Sequence, residues 1–157
     1  MHEERFRLQE EGEQCDIPTL LHLLTADHEY FLQAAIPELE KWALKRSNGP
    51  LRQFLQNLHD ELLIHFRMEE RLVFPVILSS LDGAGAMAAA LRLACDHMRD
   101  DHRSHLRHIL VLQEFQRTGK QGGKLEEMLE EFCSSMRFHA DLENRRLFQN
   151  WAMLQDY

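Results

Sequence analysis

The chain has 157 residues, 44% of them apolar and 28% charged, and carries a formal net charge of −8 at neutral pH. That length suits one domain with a sizeable core, and the apolar share excludes a disordered acidic tail. The negative balance argues against a nucleic-acid partner, which needs clustered cations, and no apolar run approaches the roughly 18 residues of a membrane span.

In chain order, residues 1–15 contain the polar stretch MHEERFRLQEEGEQ and read as a loose tail without the apolar centre of a secretory signal. Cys15, Cys95 and Cys133 are widely spaced and odd in number, which speaks against a disulfide framework and fits a reducing, cytoplasmic setting. Residues 16–157 read as four long helices. The first runs from about Asp16 to Arg46, with Asp16 and Pro18 as start signals, and Ser47-Asn48-Gly49-Pro50 separates it from the second. The second ends near Ser79-Ser80-Leu81-Asp82-Gly83, the third covers about Ala84 to Arg117, and Thr118–Gly123 leads into the fourth. Short connections between long helices predict an all-α, antiparallel up-down-up-down four-helix bundle. Pro37 and Pro75 fall inside helices and are expected to kink them.

Apolar residues recur in steps of three and four, the pattern of a bundle core. The seam of the first helix is Ile17, Leu21, Leu24, His28, Phe31, Ala35, and that of the second is Leu51, Leu55, Leu58, Leu62, His65, Glu69, Leu72, Val76. The fourth reads Leu125, Leu129, Phe132, Met136, His139, Glu143, Leu147. A histidine or glutamate interrupts each seam near its middle, and buried charge is costly unless it is paired or bound to metal.

The two halves of the chain repeat at an offset of 74 residues. His65-x-x-x-Glu69-x-Arg71-x-x-Phe74 recurs as His139-x-x-x-Glu143-x-Arg145-x-x-Phe148, and Asp27-His28 recurs as Asp101-His102. Each half is thus a helical hairpin carrying one histidine and then a His-x-x-x-Glu pair. The repeat selects His102 over His97 in the third helix, whose seam becomes Leu91, Cys95, Met98, His102, Leu106, Ile109. Residues four apart share a helix face, so His28, His65, Glu69, His102, His139 and Glu143 are expected to meet at one level. Imidazole and carboxylate donors without thiolate suit iron or manganese better than structural zinc. The expected cofactor is a pair of iron ions, oxo- or hydroxo-bridged, with two histidines each, both glutamates bridging, and a position open to oxygen, nitric oxide or peroxide; manganese is the alternative. His2, His22, His59, His97, His105 and His108 read as surface or helix-flank groups, Phe66, Phe74, Phe148 and Trp151 as core, and Glu126-Glu127 as a solvated face.

LHDELLIHFRMEERLVFPVI (58–77), FHADLENRRLF (138–148), TADHEYF (25–31) and MRDDHRSHL (98–106) resemble the four helices of the hemerythrin-like, or HHE cation-binding, family. The resemblance covers all but the N-terminal tail. Within that family the set of four histidines and two glutamates is similar to the di-iron proteins that repair iron–sulfur clusters. Oxygen-carrying hemerythrins have HxxxH and HxxxxD where this chain has Leu106 and Asn144. The repair proteins usually carry a further N-terminal domain with paired cysteines, where this chain has a short stretch with Cys15 alone. The resemblance also implies that Glu61 and Asp101 lie near the metals as orienting or proton-moving carboxylates; the alternative for both is a solvated helix charge. The functions it implies are a nitrosative or oxidative stress response with possible service to a damaged iron–sulfur protein, an oxygen- or nitric-oxide-binding sensor or store, or a redox enzyme acting on peroxide or nitric oxide.

Overall fold

The computed structural model describes residues 2–81 and 88–148. Every regular element among them is helical. Helix α1 is His2–Glu11. Helix α2 runs Ile17–Tyr30, widens into a π-helical turn at Phe31–Ala35, and continues as Ile36–Lys45. Helix α3 is built the same way from Gly49–Met68, a π turn at Glu69–Val73, and Phe74–Ser80. Helix α4 is an unbroken Ala88–Thr118, and α5 joins Lys124–Glu143 to a π turn at Asn144–Phe148. None of these helices is long and apolar enough to cross a membrane.

The starts are fixed by capping. The Asp16 carboxylate accepts a hydrogen bond from the Thr19 amide at 2.9 Å, and the Asn48 side-chain oxygen accepts one from Leu51 at 3.1 Å. Ser47, with φ of 52°, turns the chain between α2 and α3. The expected breaks at Pro37 and Pro75 take the form of π turns that end just before them. A proline offers no N–H to the preceding turn, and a wider turn accommodates that loss.

Helices α2–α5 pack as an antiparallel bundle with two apolar cores. One gathers Phe31, Ile36, Leu55, Leu62, Phe66, Leu112, Leu129 and Phe132; the other gathers Leu20, Leu24, Val73, Phe74, Leu91, Met98, Leu147 and Phe148. The mid-helix histidines and glutamates lie between them.

Three expectations are corrected. The segment expected to be a loose tail is helical and docked: Leu8 is buried in the second core, and Arg5 donates to Asp27 at 3.0 Å and to Ser135 at 2.7 Å. At the end of α1, a Cβ on Gly12 would meet the Leu8 carbonyl oxygen at 2.4 Å and a Leu142 side-chain methyl at 2.9 Å, so only glycine fits there without a shift. The seam of α3 also shifts. Leu72 is exposed, while Val73 and Ile77 are buried, because the π turn inserts one residue per turn beyond Glu69. Finally, Glu126 is buried against Arg46 rather than solvated. Trp151 lies outside the described residues.

Candidate metal centre

Each long helix brings polar side chains to the layer between the two cores. His28 comes from α2, His65 and Glu69 from α3, His102 from α4, and His139 and Glu143 from α5; all six are buried. The four-residue spacing stacks each His-Glu pair on one face, and each glutamate sits where its helix changes from α to π winding. Glu69 Oε1 lies 3.3 Å from His28 Nε2 and 3.1 Å from His65 Nε2. Glu143 Oε1 repeats this with His102 Nε2 at 3.3 Å and His139 Nε2 at 3.1 Å.

Two overlapping groups result. His28, Glu69, His139 and Glu143 each offer a donor atom within 4.8 Å of the other three, and so do His65, Glu69, His102 and Glu143. Both glutamates belong to both groups, and each group takes one histidine from each hairpin. The Nε2 atoms of His28, His65 and His139 and all four glutamate oxygens are buried without a hydrogen-bond partner. Orphaned polar atoms at this density are costly. A bound cation would give these atoms a partner, so the donor set fits metal on its own chemistry.

The outer nitrogens are all engaged. His65 Nδ1 lies 3.0 Å from Asp101, His139 Nδ1 2.7 Å from Asp27, His28 Nδ1 3.1 Å from Glu70, and His102 Nδ1 2.8 Å from the Asn144 side-chain oxygen. Carboxylates and the Asn144 amide oxygen only accept, so each Nδ1 donates and Nε2 is the nitrogen that faces the layer. Of the two carboxylates singled out in the sequence, Asp101 is thus at the layer, orienting His65 rather than its own neighbour His102. Glu61 is not: it is exposed and pairs with His108 at 2.5 Å. Asp27, Glu70 and Asn144 escaped the sequence reading. The repeat held the signal for Asp27, which is the counterpart of Asp101.

His97 is exposed, with Nε2 3.9 Å from Asp101. His105, read from sequence as a flank group, is buried and lies edge-on to His65 with ring centroids 4.6 Å apart. The seam through His102 continues by three residues, to His105, Ile109 and Leu112, rather than by four to exposed Leu106. Burial, reinforced by the neighbouring His65 and His102, pushes His105 down to about 3, so it is neutral. Burial and then the charge of Glu143 push Glu69 up to about 8. Glu143 is buried too, but the charge on His139 and the close approach of the His102 and His139 imidazoles outweigh burial and hold it well below the carboxylate range. His139 is raised well above the usual imidazole value, the Glu143 and Asp27 carboxylates outweighing its burial. Phe66 stacks on His28 at 4.0 Å, and Phe148 lies 5.6 Å from His102.

The profile of the hemerythrin HHE cation binding domain matches residues 19–151. The chain belongs to the hemerythrin HHE cation-binding family. No curated protein and no solved structure matched it. The match takes in all four long helices that meet at the buried layer, so the hemerythrin-like bundle and its capacity for a cation come from the same residues. Helix α1 lies ahead of the matched segment, which makes its contact with Asp27 a feature added to the hemerythrin core.

Proposed function

We propose that this chain is a non-haem di-iron protein that binds or turns over a small diatomic or peroxide ligand, acting in the response to nitric oxide or oxidative stress. In this reading His28 and His139 hold one ion, His65 and His102 hold the other, and Glu69 and Glu143 bridge them. The supporting observation is that two four-residue donor groups share both glutamates. Nitrogen and oxygen donors without a cysteine favour iron, with manganese second, over structural zinc. Four histidines and two carboxylates are fewer donors than two six-coordinate ions take, which leaves room for an outside ligand. When bound, the ions supply one-electron redox chemistry and Lewis acidity toward that ligand.

The chain's own residues set the conditions for that chemistry. Asp27, Glu70, Asp101 and Asn144 fix the tautomer and ring orientation of the four imidazoles. Phe31, Phe66, Phe74 and Phe148 keep the layer dry. The test is anaerobic reconstitution with ferrous iron, iron quantification, and spectra before and after oxygen, nitric oxide and peroxide. Two irons per chain and a spectrum that changes with one of these ligands are expected. Fewer than about one iron per chain, or a preference for zinc, would sink the reading. A stable oxygen spectrum selects a sensor or store, rapid peroxide loss selects an enzyme, and reactivation of a damaged iron–sulfur protein selects repair.

A further inference from the structure

The pseudo-two-fold symmetry of the buried layer is broken, and the differences at Phe66, Glu70 and Asp27 fall the same way. At an offset of 74 residues, Phe31 corresponds to His105, Phe66 to Ala140, and Glu70 to Asn144. Around His28 and His139 the larger or more strongly bonded member is present. Phe66 stacks on His28 with an interplanar angle of 9°, and Phe31 meets His139 edge-on at 5.7 Å. Glu70 backs His28 and is itself held by Arg67 at 3.0 Å. Asp27 backs His139 and is held by Arg5, whose guanidinium also lies over the Tyr30 ring at 3.6 Å.

Around His65 and His102 the backing groups and the ring cover of His102 are weaker, while buried His105 meets His65 edge-on at 4.6 Å. Asn144 offers His102 an amide oxygen in place of a carboxylate. The Asp101 side chain is 32% exposed where that of Asp27 is 3% exposed, and it faces exposed His97 in place of the partly buried Arg5. Ala140 leaves open the space that Phe66 fills on the other side. A groove of about 350 Å³ between α4 and α5 lies there, lined by His102, His105, Ile109, Met136, Ala140 and Asn144.

We propose that the two cation positions have different tasks: the one at His28 and His139 is sealed and retains its ion, and the one at His65 and His102 is reached through the α4–α5 groove and takes the outside ligand. This rests on the two-ion reading above. Carboxylate-backed imidazoles bind metal more firmly, and losing such a partner typically costs 10–100-fold in affinity. A ligand the size of nitric oxide needs only the space that Ala140 leaves. Arg5 acts through Asp27 and is therefore a positioning residue.

The test uses the full chain loaded anaerobically with ferrous iron. Ion release into excess ferrous chelator is followed with time, and nitric oxide association is followed by stopped flow. Two ions leaving in two phases are expected. Arg5→Ala should speed the slow phase about tenfold and leave the fast phase alone, and Arg5→Lys should recover much of the loss. Ala140→Phe, which copies the sealed side, should slow the fast phase and nitric oxide association several-fold without touching the slow phase. A wild-type chain that loads fewer than two ions fails the two-ion reading itself. Two ions released in one phase, or an Arg5→Ala that speeds both phases or neither, overturn the inference and leave that reading standing. If Ala140→Phe does not fold, the Arg5 pair still decides.

Discussion

At the scale of single residues, His97, His102 and His105 show how much one helix step decides. All three lie on α4, yet His97 is exposed while His102 sits 3.3 Å from Glu143. His102→Ala should cut metal content sharply, and His97→Ala should leave it unchanged, as read by metal analysis after dialysis. The reverse result would remove His102 from the candidate donors. The repeat made His102 legible because it pairs with His28. His105 was not legible, because steps of three and four are both allowed on a seam and its counterpart is a phenylalanine. The same layer sets a pH dependence for the metal-free chain. Glu69 is raised to about 8 by burial and by Glu143, and His139 is also raised. Both favour the folded state at low pH: the Glu69 contribution is lost as pH rises from 4.5 through about 8, and that of His139 as pH rises above the usual imidazole value of 6.5. Glu143 is lowered, so its contribution is lost as pH falls below about 4.5. Denaturant midpoints of the metal-free chain should therefore peak near pH 4.5, the unfolded value of both glutamates, and fall toward pH 8. A midpoint that climbs steadily to pH 8 would contradict this assignment of charges.

At the scale of elements, the N-terminal helix is the largest departure from the sequence reading. A segment with Glu3, Glu4, Glu10 and Glu11 around Phe6 and Leu8, two residues apart and so on different faces, has no apolar stripe, so periodicity gives no reason to dock it. Its docking rests on individual contacts: Leu8 in the second core, Arg5 on Asp27, and Glu13 held by Arg145 through two hydrogen bonds of 2.6 and 2.8 Å. Leu8→Ala should then cost about 2–3 kcal/mol, at the lower end for a buried leucine because the site is peripheral. Phe6→Ala, at a side chain 65% exposed, should cost almost nothing. Urea unfolding separates the two; equal effects would mean that α1 does not dock through Leu8. The π turns were likewise only half legible. Pro37 and Pro75 announce a disturbance, but nothing in the pattern says that it takes the form of an extra residue per turn. That is why Leu72 falls off the seam that Val73 and Ile77 occupy, while Val76 packs partly buried against the second core. The third π turn, Asn144–Phe148, contains no proline and follows Glu143 directly, so proline is not the whole cause.

At the scale of the molecule, the bundle is two apolar cores joined across a polar layer, and the layer is its weakest part without metal. Seven buried nitrogen and oxygen atoms of His28, His65, His139, Glu69 and Glu143 have no hydrogen-bond partner there. The hairpin repeat made this architecture readable, because two copies of one mid-seam interruption can meet only at one level. It could not show that the copies had diverged around the layer, since the differences at Phe31, Phe66 and Glu70 look like ordinary drift until their neighbours are seen. A layer of this kind trades stability for cation binding, and the trade can be measured. A cation that binds only the folded chain adds about 2.7 kcal/mol at a hundredfold excess over its dissociation constant, which in a chain of this size corresponds to roughly 5–10 °C in unfolding temperature. Replacing Glu69 and Glu143 together by leucine removes the buried carboxylates and the binding at once. Replacing buried charge by apolar residues of similar volume is often neutral or stabilising. The double variant should therefore unfold at or above the temperature of the metal-free wild type and gain nothing from added ferrous iron. If instead it unfolds well below the metal-free wild type, the two glutamates contribute to the fold without a cation, and the layer is a structural network rather than a site kept for metal.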